Sequence, residues 1–512
     1  MNDFLKVLCL AAIVAISQFV PVIDYNEMDA IPYGYALFNP DWLGNDWYLS
    51  QGIFYRLPFS YVSGFFVHLF GFIPTIFFGR ILSYIFFSFA YLSLLRATKT
   101  DFVLGSVSLA TFLLFFPQGM SAGEWMIGGL ETKVFSYSFA LLALAAAIQK
   151  KLGPTLLFSG ISFSLHLLVG GYQLICLTSI LVFQVVNREL SLKMVMQKSY
   201  WFFLGGLWGL VGTAIYFFNQ FSQASSSYGW DIYVQVRVPF HVLPKLYFDG
   251  LILPVLFTTL NVVLLALTKR DDIKSLLFYV LTATAISFLG ISIYLLGDPS
   301  LLRYYFFRFN DTIQPFLTIL IIGALLTEQF PRFLSKIPRP QRLKRILLAT
   351  LSIVLFSFFF VRNQQNIKAF FDADSFSPKA IESRSSLDIE MTNWVKNNTS
   401  ESSVFIAPVG METFYMEAGR ALFVSWKHSP QNATNMEEWY HRILLLNKGE
   451  SLLKENIDPK IEVEKNYDRL NENEILEIKM LYPEVTHIIF PAANKLAFEV
   501  AHRTERFILY RL

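Results

Sequence analysis

Phe4-Leu-Lys-Val-Leu-Cys-Leu-Ala-Ala-Ile-Val-Ala-Ile-Ser-Gln-Phe-Val-Pro-Val-Ile23, followed at once by Asp24-Tyr-Asn-Glu27-Met-Asp29, is the stretch on which the fold turns. Residues 4–23 carry a single charge, Lys6. Their length matches the roughly 20 apolar residues that cross a bilayer as a helix. The run begins like a secretory signal peptide, but Val20-Pro21-Val22-Ile23 lacks the small residues of a cleavage site. It therefore reads as an uncleaved first span, with carboxylates starting where it meets water.

The rest of the 512 residues continues the pattern. The chain is 54% hydrophobic and 16% charged, with a mean hydropathy of +0.45, whereas soluble domains carry about 25% charge. The spans read as 4–23, 73–95, 102–118, 133–149, 154–169, 172–187, 200–218, 250–268, 275–297, 307–327 and 346–361. The fold expected is thus an α-helical polytopic membrane protein with about eleven transmembrane helices. Segment 154–187 is open to a reading as one interrupted span. Segment 52–70, apolar but broken by Gly52 and Pro58, reads as interfacial or re-entrant.

Charge orients the spans. One set of loops holds Lys6, Arg96, Lys99, Lys150, Lys151, Arg188, Lys193, Lys198, Lys269, Arg270 and Lys274, then Arg332, Lys336, Arg339, Arg342, Lys344 and Arg345. The opposite loops hold Arg56, Arg237, Lys245 and Arg303, with Lys133 and Arg308 at the margins. Basic loops stay in the cytoplasm, so the N-terminus is expected there, in an inner (plasma) membrane. An odd number of spans then puts the C-terminus outside. A net charge of +3 gives no nucleic-acid footprint. Cys9 and Cys176 both lie in apolar runs and make neither a disulfide framework nor a zinc site.

After Val361 the composition turns polar, dividing the chain into a transmembrane domain, 1–361, and a soluble domain, 362–512. Short β-like runs (Ser403–Ala407, Thr486–Phe490) alternate with helical patterns (Asn435–Leu446, Glu472–Leu481), which predicts a small extracytoplasmic α/β domain with its own core.

Residues with chemical potential gather in the outer loops. Asp24, Glu27, Asp29, Asp41 and Asp46 fall within 23 residues, interleaved with Trp42, Trp47 and Tyr48. A carboxylate at the membrane boundary is suited to general base work, and aromatic faces beside carboxylates suit a sugar cleft, although an interfacial aromatic belt reads the same way. Glu131 and Lys133 open the fourth span, where charge is costly unless paired or functional. His166 sits in an apolar run with no second histidine near it, so no metal triad is formed. Arg303 and Arg308 are placed to hold a phosphate; Asp311, one turn on, is an alternative partner for Arg308. No P-loop, GxSxG or GxGxxG motif is present.

The Asp24/Glu27/Asp29 cluster, the Glu131-Thr-Lys133 entry and the late arginine Arg308 resemble the layout of the GT-C superfamily of membrane glycosyltransferases. The series Arg420…Trp426-Lys427…Pro430…Glu438-Trp439-Tyr440…Arg442 is similar to a bacterial GT-C-like family of unassigned function. Asp-Tyr-Asn-Glu stands where several GT-C branches have a compact carboxylate pair. The resemblance implies transfer of a sugar from a polyprenyl-phosphate donor to a glycan, lipid or protein acceptor at the outer face. It implies Asp24, Glu27 or Asp29 as base and Arg308 on the phosphate, with Asp46, Trp47, Glu131, Lys133, His166 and Arg303 around the substrates. No cofactor is required, because an arginine can take the leaving charge, though a divalent cation is compatible. Two rival readings are a transporter or flippase of lipid-linked glycans, which predicts repeated halves, and a non-catalytic assembly protein, which predicts dispensable loop carboxylates.

Overall fold

The computed structural model describes residues 1–51, 56–222, 227–334, 356–372, 376–384, 389–454 and 457–512, with single positions between 346 and 354. In chain order its first α-helices are α1 (Asp3–Gln18), α2 (Glu27–Phe38), α3 (Leu57–Phe70), α4 (Phe72–Ala97), α5 (Phe102–Phe115), α6 (Thr132–Ile148), α7 (Leu152–Leu165) and α8 (Leu167–Val186). They continue as α9 (Leu192–Lys198), α10 (Tyr200–Ser222), α11 (Ser227–Ile232), α12 (Pro239–Val242), α13 (Ile252–Leu267), α14 (Asp271–Leu295) and α15 (Arg308–Leu334). The chain divides into two compact units. The first is Met1–Val20, Phe78–Ala214 and Phe240–Phe376; the second is Pro21–Phe77, Ile215–Pro239 and Ser377–Leu512.

The first unit is helical. Among the described residues α4, α8, Tyr200–Phe218, α14 and Arg308–Glu328 are long and apolar enough to cross a membrane, and α3, α5, α6, α7 and α13 are shorter apolar helices. This is a multi-pass membrane protein. Ten of the eleven expected spans coincide with a helix; in the last, 346–361, six residues are outside the described ones and the described ones are helical. The interrupted reading of 154–187 resolves into α7 and α8, broken at His166, whose backbone is extended (φ −147°, ψ 107°). Its ring Nδ1 accepts from Val169 N at 3.3 Å and so caps α8. Segment 52–70 contains a regular helix, α3, with 52–55 outside the described residues.

Helices in lipid associate through close packing and buried hydrogen bonds. On α7, Gly160 meets α10 so tightly that a Cβ there would lie 2.3 Å from the Phe202 carbonyl oxygen. Ser136 of α6 and Ser162 of α7 are joined at 2.9 Å. Along α15, Gln314 donates to Thr258 of α13 at 2.7 Å and Thr318 is bonded to Asn261.

The second unit has a five-stranded mixed sheet in the order β2-β1-β3-β5-β4. Its strands are β1 (Val404–Ile406), β2 (Ala421–Leu422), β3 (Val485–Pro491), β4 (Glu499–Arg503) and β5 (Phe507–Arg511). β1 runs parallel to β2 and β3, and β5 antiparallel to β3 and β4. The helices Ala433–Leu446 and Glu472–Leu481 lie where the pattern predicts them, the second with a capping box of Asn471 and Glu474. This unit is larger than segment 362–512. Tyr33, Leu43 and Tyr48 from the first outer loop share a core with Phe405, Phe414, Leu422, Ile489 and Leu509. That acidic loop is also partly helical, as α2, which packs on α3.

Candidate functional site

In the first unit a cavity of about 360 Å³ is lined by Glu124, Glu131, Lys133, Tyr137, His166, Tyr172, Tyr305 and Arg308, with Leu168, Val169 and Phe309 as its apolar wall. Four expected site residues thus meet: Glu131, Lys133, His166 and Arg308. Lys133 stands one residue inside the N-terminus of α6 and Arg308 opens α15. His166 is exposed to the cavity by the break between α7 and α8, which also frees the Leu165 carbonyl to accept from Thr132 Oγ1 at 2.6 Å.

The charges are paired. Lys133 Nζ lies 3.1 Å from Glu124 Oε1 and 3.5 Å from Glu131 Oε2, and Arg308 Nε contacts Glu124 Oε2. The side chains of Lys133 and Glu124 are only 2% and 3% exposed, while Arg308 remains 24% exposed. The Lys133 ammonium sits 3.6 Å from the centre of the Trp125 ring, and the Arg308 guanidinium 4.7 Å from that of Tyr305. Yet Lys133 Nζ and Arg308 Nε make no hydrogen bond of good geometry among the described residues. Both cations are ion-paired in the cavity wall, two positive charges set against Glu124 and Glu131.

Glu124 was not among the expected site residues. Its signal was present: an acid in a Gly-rich turn, Gly123-Glu124-Trp125, seven residues before Glu131. Only folding puts it between two cations. Asp311 does not neutralise Arg308, as its position one turn on would allow. Its carboxylate instead accepts from the backbone N–H groups of Met120 (2.9 Å), Ser121 (2.7 Å), Ala122 (3.1 Å) and Glu124 (3.2 Å). Asp311 therefore holds the turn that carries Glu124. Arg303 bonds the Ser300 carbonyl at 2.9 Å and stacks on Tyr304, and does not line the cavity.

The first-loop residues belong to the second unit. Asp29 pairs with Arg56 at 2.8 Å and accepts from the Tyr48 hydroxyl. Burial raises its pKa, but the nearby Arg56 and Lys427 charges outweigh this and hold it down to about 2. Glu27 is fully buried and accepts from the Asp24 N–H at 2.7 Å. Asp24 is half-buried and caps Asn26 N at 2.9 Å. Asp46 is buried under β2, accepting from Leu422 N (3.0 Å) and Leu49 N (2.9 Å). Burial pushes its carboxyl up to about 6 despite those bonds. Trp47 lies under the Arg442 guanidinium at 4.6 Å.

Fold and cavity together define the class: a polytopic helical membrane protein with a mixed-sheet second unit and a charged pocket set into its helical one. Residues 388–446 match a family model described as Domain of unknown function (DUF6798). No curated protein matches the chain. Among solved structures it is similar to ArnT from Cupriavidus metallidurans in the apo state, at 13% identity and a TM-score of 0.46, over 99% of this chain and 97% of that one. It is also similar to the archaeal oligosaccharyltransferase AglB from Archaeoglobus fulgidus in complex with an inhibitory peptide and a dolichol-phosphate. Here identity is 10% and the TM-score 0.38, over 95% of this chain and 69% of that one. At those values neither likeness assigns a chemistry to this chain; its own residues must.

Proposed function

We propose that this protein transfers a glycosyl group from a polyprenyl-phosphate sugar to an acceptor hydroxyl at the outer face of the plasma membrane. The observation that carries the reading is the pair of cations lining one cavity at helix ends, Lys133 buried and Arg308 24% exposed to it. In the reaction a base takes the acceptor proton, the acceptor oxygen bonds to the sugar's anomeric carbon, and the sugar–phosphate bond breaks. Its electron pair stays on the departing polyprenyl phosphate, whose developing charge Lys133 and Arg308 stabilise. No metal is needed for that step. The basic-loop asymmetry supports a cytoplasmic N-terminus and an outer C-terminus.

Polyprenyl phosphate itself is the probe, since it is common to every sugar the donor could carry. In nanodiscs Arg308→Ala should weaken its binding about tenfold or more, the loss of a charge-assisted hydrogen bond. Arg308→Lys should recover only part, keeping charge but losing the planar fork. Normal polyprenyl-phosphate binding by a stably folded Arg308→Ala protein would sink the phosphate assignment.

A further inference from the structure

We propose that a second cavity of the helical unit holds one acyl chain of a bilayer lipid, seated lengthwise between α13, α14 and α15. It measures about 490 Å³ and lies wholly within the unit that contains the charged cavity. Val255 of α13, Phe288 and Ile291 of α14 and Phe307, just before α15, contribute its apolar wall. It shares no lining residue with the charged cavity.

The polar groups of this wall are already spent. Thr258 Oγ1 donates to the Pro254 carbonyl at 2.6 Å and accepts from Gln314 Nε2 at 2.7 Å. Thr284 Oγ1 bonds the Val280 carbonyl (3.1 Å) and Asn310 Oδ1 (3.2 Å), and Asn310 Nδ2 donates to Gln314 Oε1 at 3.3 Å. Ser287 Oγ donates to the Phe306 carbonyl at 3.3 Å. Asp311 accepts from the N–H groups of the 120–124 turn and from Ser121 Oγ at 3.0 Å. A buried water needs two to four polar partners, and a cavity that offers none stays dry and takes apolar guests. No basic side chain lines it among the described residues. A lipid phosphate therefore finds no partner in it, and hydrocarbon is what fits.

Depth and mouth select a lipid chain among apolar guests. From Leu295, the end of α14, back to Thr284 is 11 residues, a depth of roughly 16 Å along a helix. That is half of the roughly 30 Å hydrocarbon core, the thickness of one leaflet. Val255 and Phe288 are 55% and 52% exposed, and on a membrane helix that exposure is to lipid. Thr284, 4% exposed, is beyond the reach of lipid that merely surrounds the helices. Met120 and Ser121, which border the cavity, belong to the turn that carries Glu124. The chain thus lies against the element that positions the acid of the charged cavity.

A phosphatidylcholine with a photoreactive diazirine midway along one acyl chain, in nanodiscs with the full-length protein, tests this. After irradiation, peptide mass spectrometry should find label at Thr258 and Thr284. It should also find label at Leu204 and Leu207 of α10, which are exposed to any surrounding lipid. Label on α10 with none at Thr258 or Thr284 overturns the site. Ser287→Phe and Ile291→Phe each set a ring into the cavity. Checked for wild-type thermal stability, they should lower label at Thr284 about tenfold or more and leave that on α10 unchanged. Undiminished label at Thr284 in both would also overturn it. Polyprenyl phosphate is the rival guest; if its addition displaces the label from Thr284, the cavity belongs to the transfer substrate and the proposal falls. Arg308→Ala should leave the labelling as it is, so failure here is separable from failure of the phosphate reading.

Discussion

At Asp46 and His428 the same burial acts on charges of opposite sign. Burial pushes Asp46 up to about 6 from 3.8 and His428 down to about 4 from 6.5. His428 is held neutral between Ser425 Oγ (2.5 Å) and the Met28 carbonyl (3.0 Å). The raised Asp46 contributes stability that is complete below its unfolded pKa of 3.8 and is lost as pH rises through about 6. The depressed His428 contributes stability present above 6.5 and lost as pH falls towards about 4. Each is worth at most about 3 kcal/mol, and between pH 4 and 6 they oppose. Asp46→Asn should therefore unmask a fall in Tm towards acid, and His428→Phe a rise. Parallel Tm-against-pH curves for wild type and both variants would show that neither group titrates in this window.

Lys133 tests the same physics in the membrane unit. Removing one partner of a buried pair costs about 3–5 kcal/mol, whereas replacing the whole pair by apolar groups is often neutral. Lys133→Met should lower thermal stability, and Glu124→Gln in the same chain should restore part of it, a coupling that a double-mutant cycle reads directly. Additive losses would show that Arg308 alone compensates Glu124.

The turn from Gly119 to Glu124 depends on one acid of α15. Gly119 adopts φ +72°, and a Cβ there would lie 2.0 Å from Asp311 Oδ2. Only glycine accepts both the backbone and the space. Asp311→Asn exchanges an acceptor oxygen for a donor facing N–H groups, and Gly119→Ala forces the turn off its anchor. Both should raise hydrogen exchange at residues 120–124 and weaken polyprenyl-phosphate binding, while exchange in α8 stays at the wild-type rate. If exchange in the turn does not change, Asp311 is not what holds Glu124 in place.

The complete chain has two tests of its own. A reporter active only outside the cytoplasm, fused after Leu512, should be active, and fused after Lys344 it should be silent; the reverse would overturn the orientation. A fragment beginning near Ser385 lacks Tyr33, Leu43 and Tyr48, which fill the sheet unit's core. It should expose that surface and melt without a cooperative transition. A sharp transition in the isolated fragment would show that residues 21–77 are dispensable to this core.

Hydropathy alone was enough for the membrane class and for ten of the eleven span positions, because about 20 apolar residues in a row have few other uses. Short β-like runs and helical patterns likewise marked β1, β3 and the helices Ala433–Leu446 and Glu472–Leu481, since these signals are local in the chain. Lys133, Glu131, His166 and Arg308 were identifiable as charged or polar groups set against apolar runs. What belonged to tertiary structure was their company. Glu124 joins two cations only because Asp311, 187 residues away, pins its turn, and Asp46 is buried under a strand 376 residues later. The second unit gathers residues 21–77 and 215–239 with 377–512. Composition shifts mark where a chain leaves the membrane, but not which distant segments are needed to cover a sheet's apolar face.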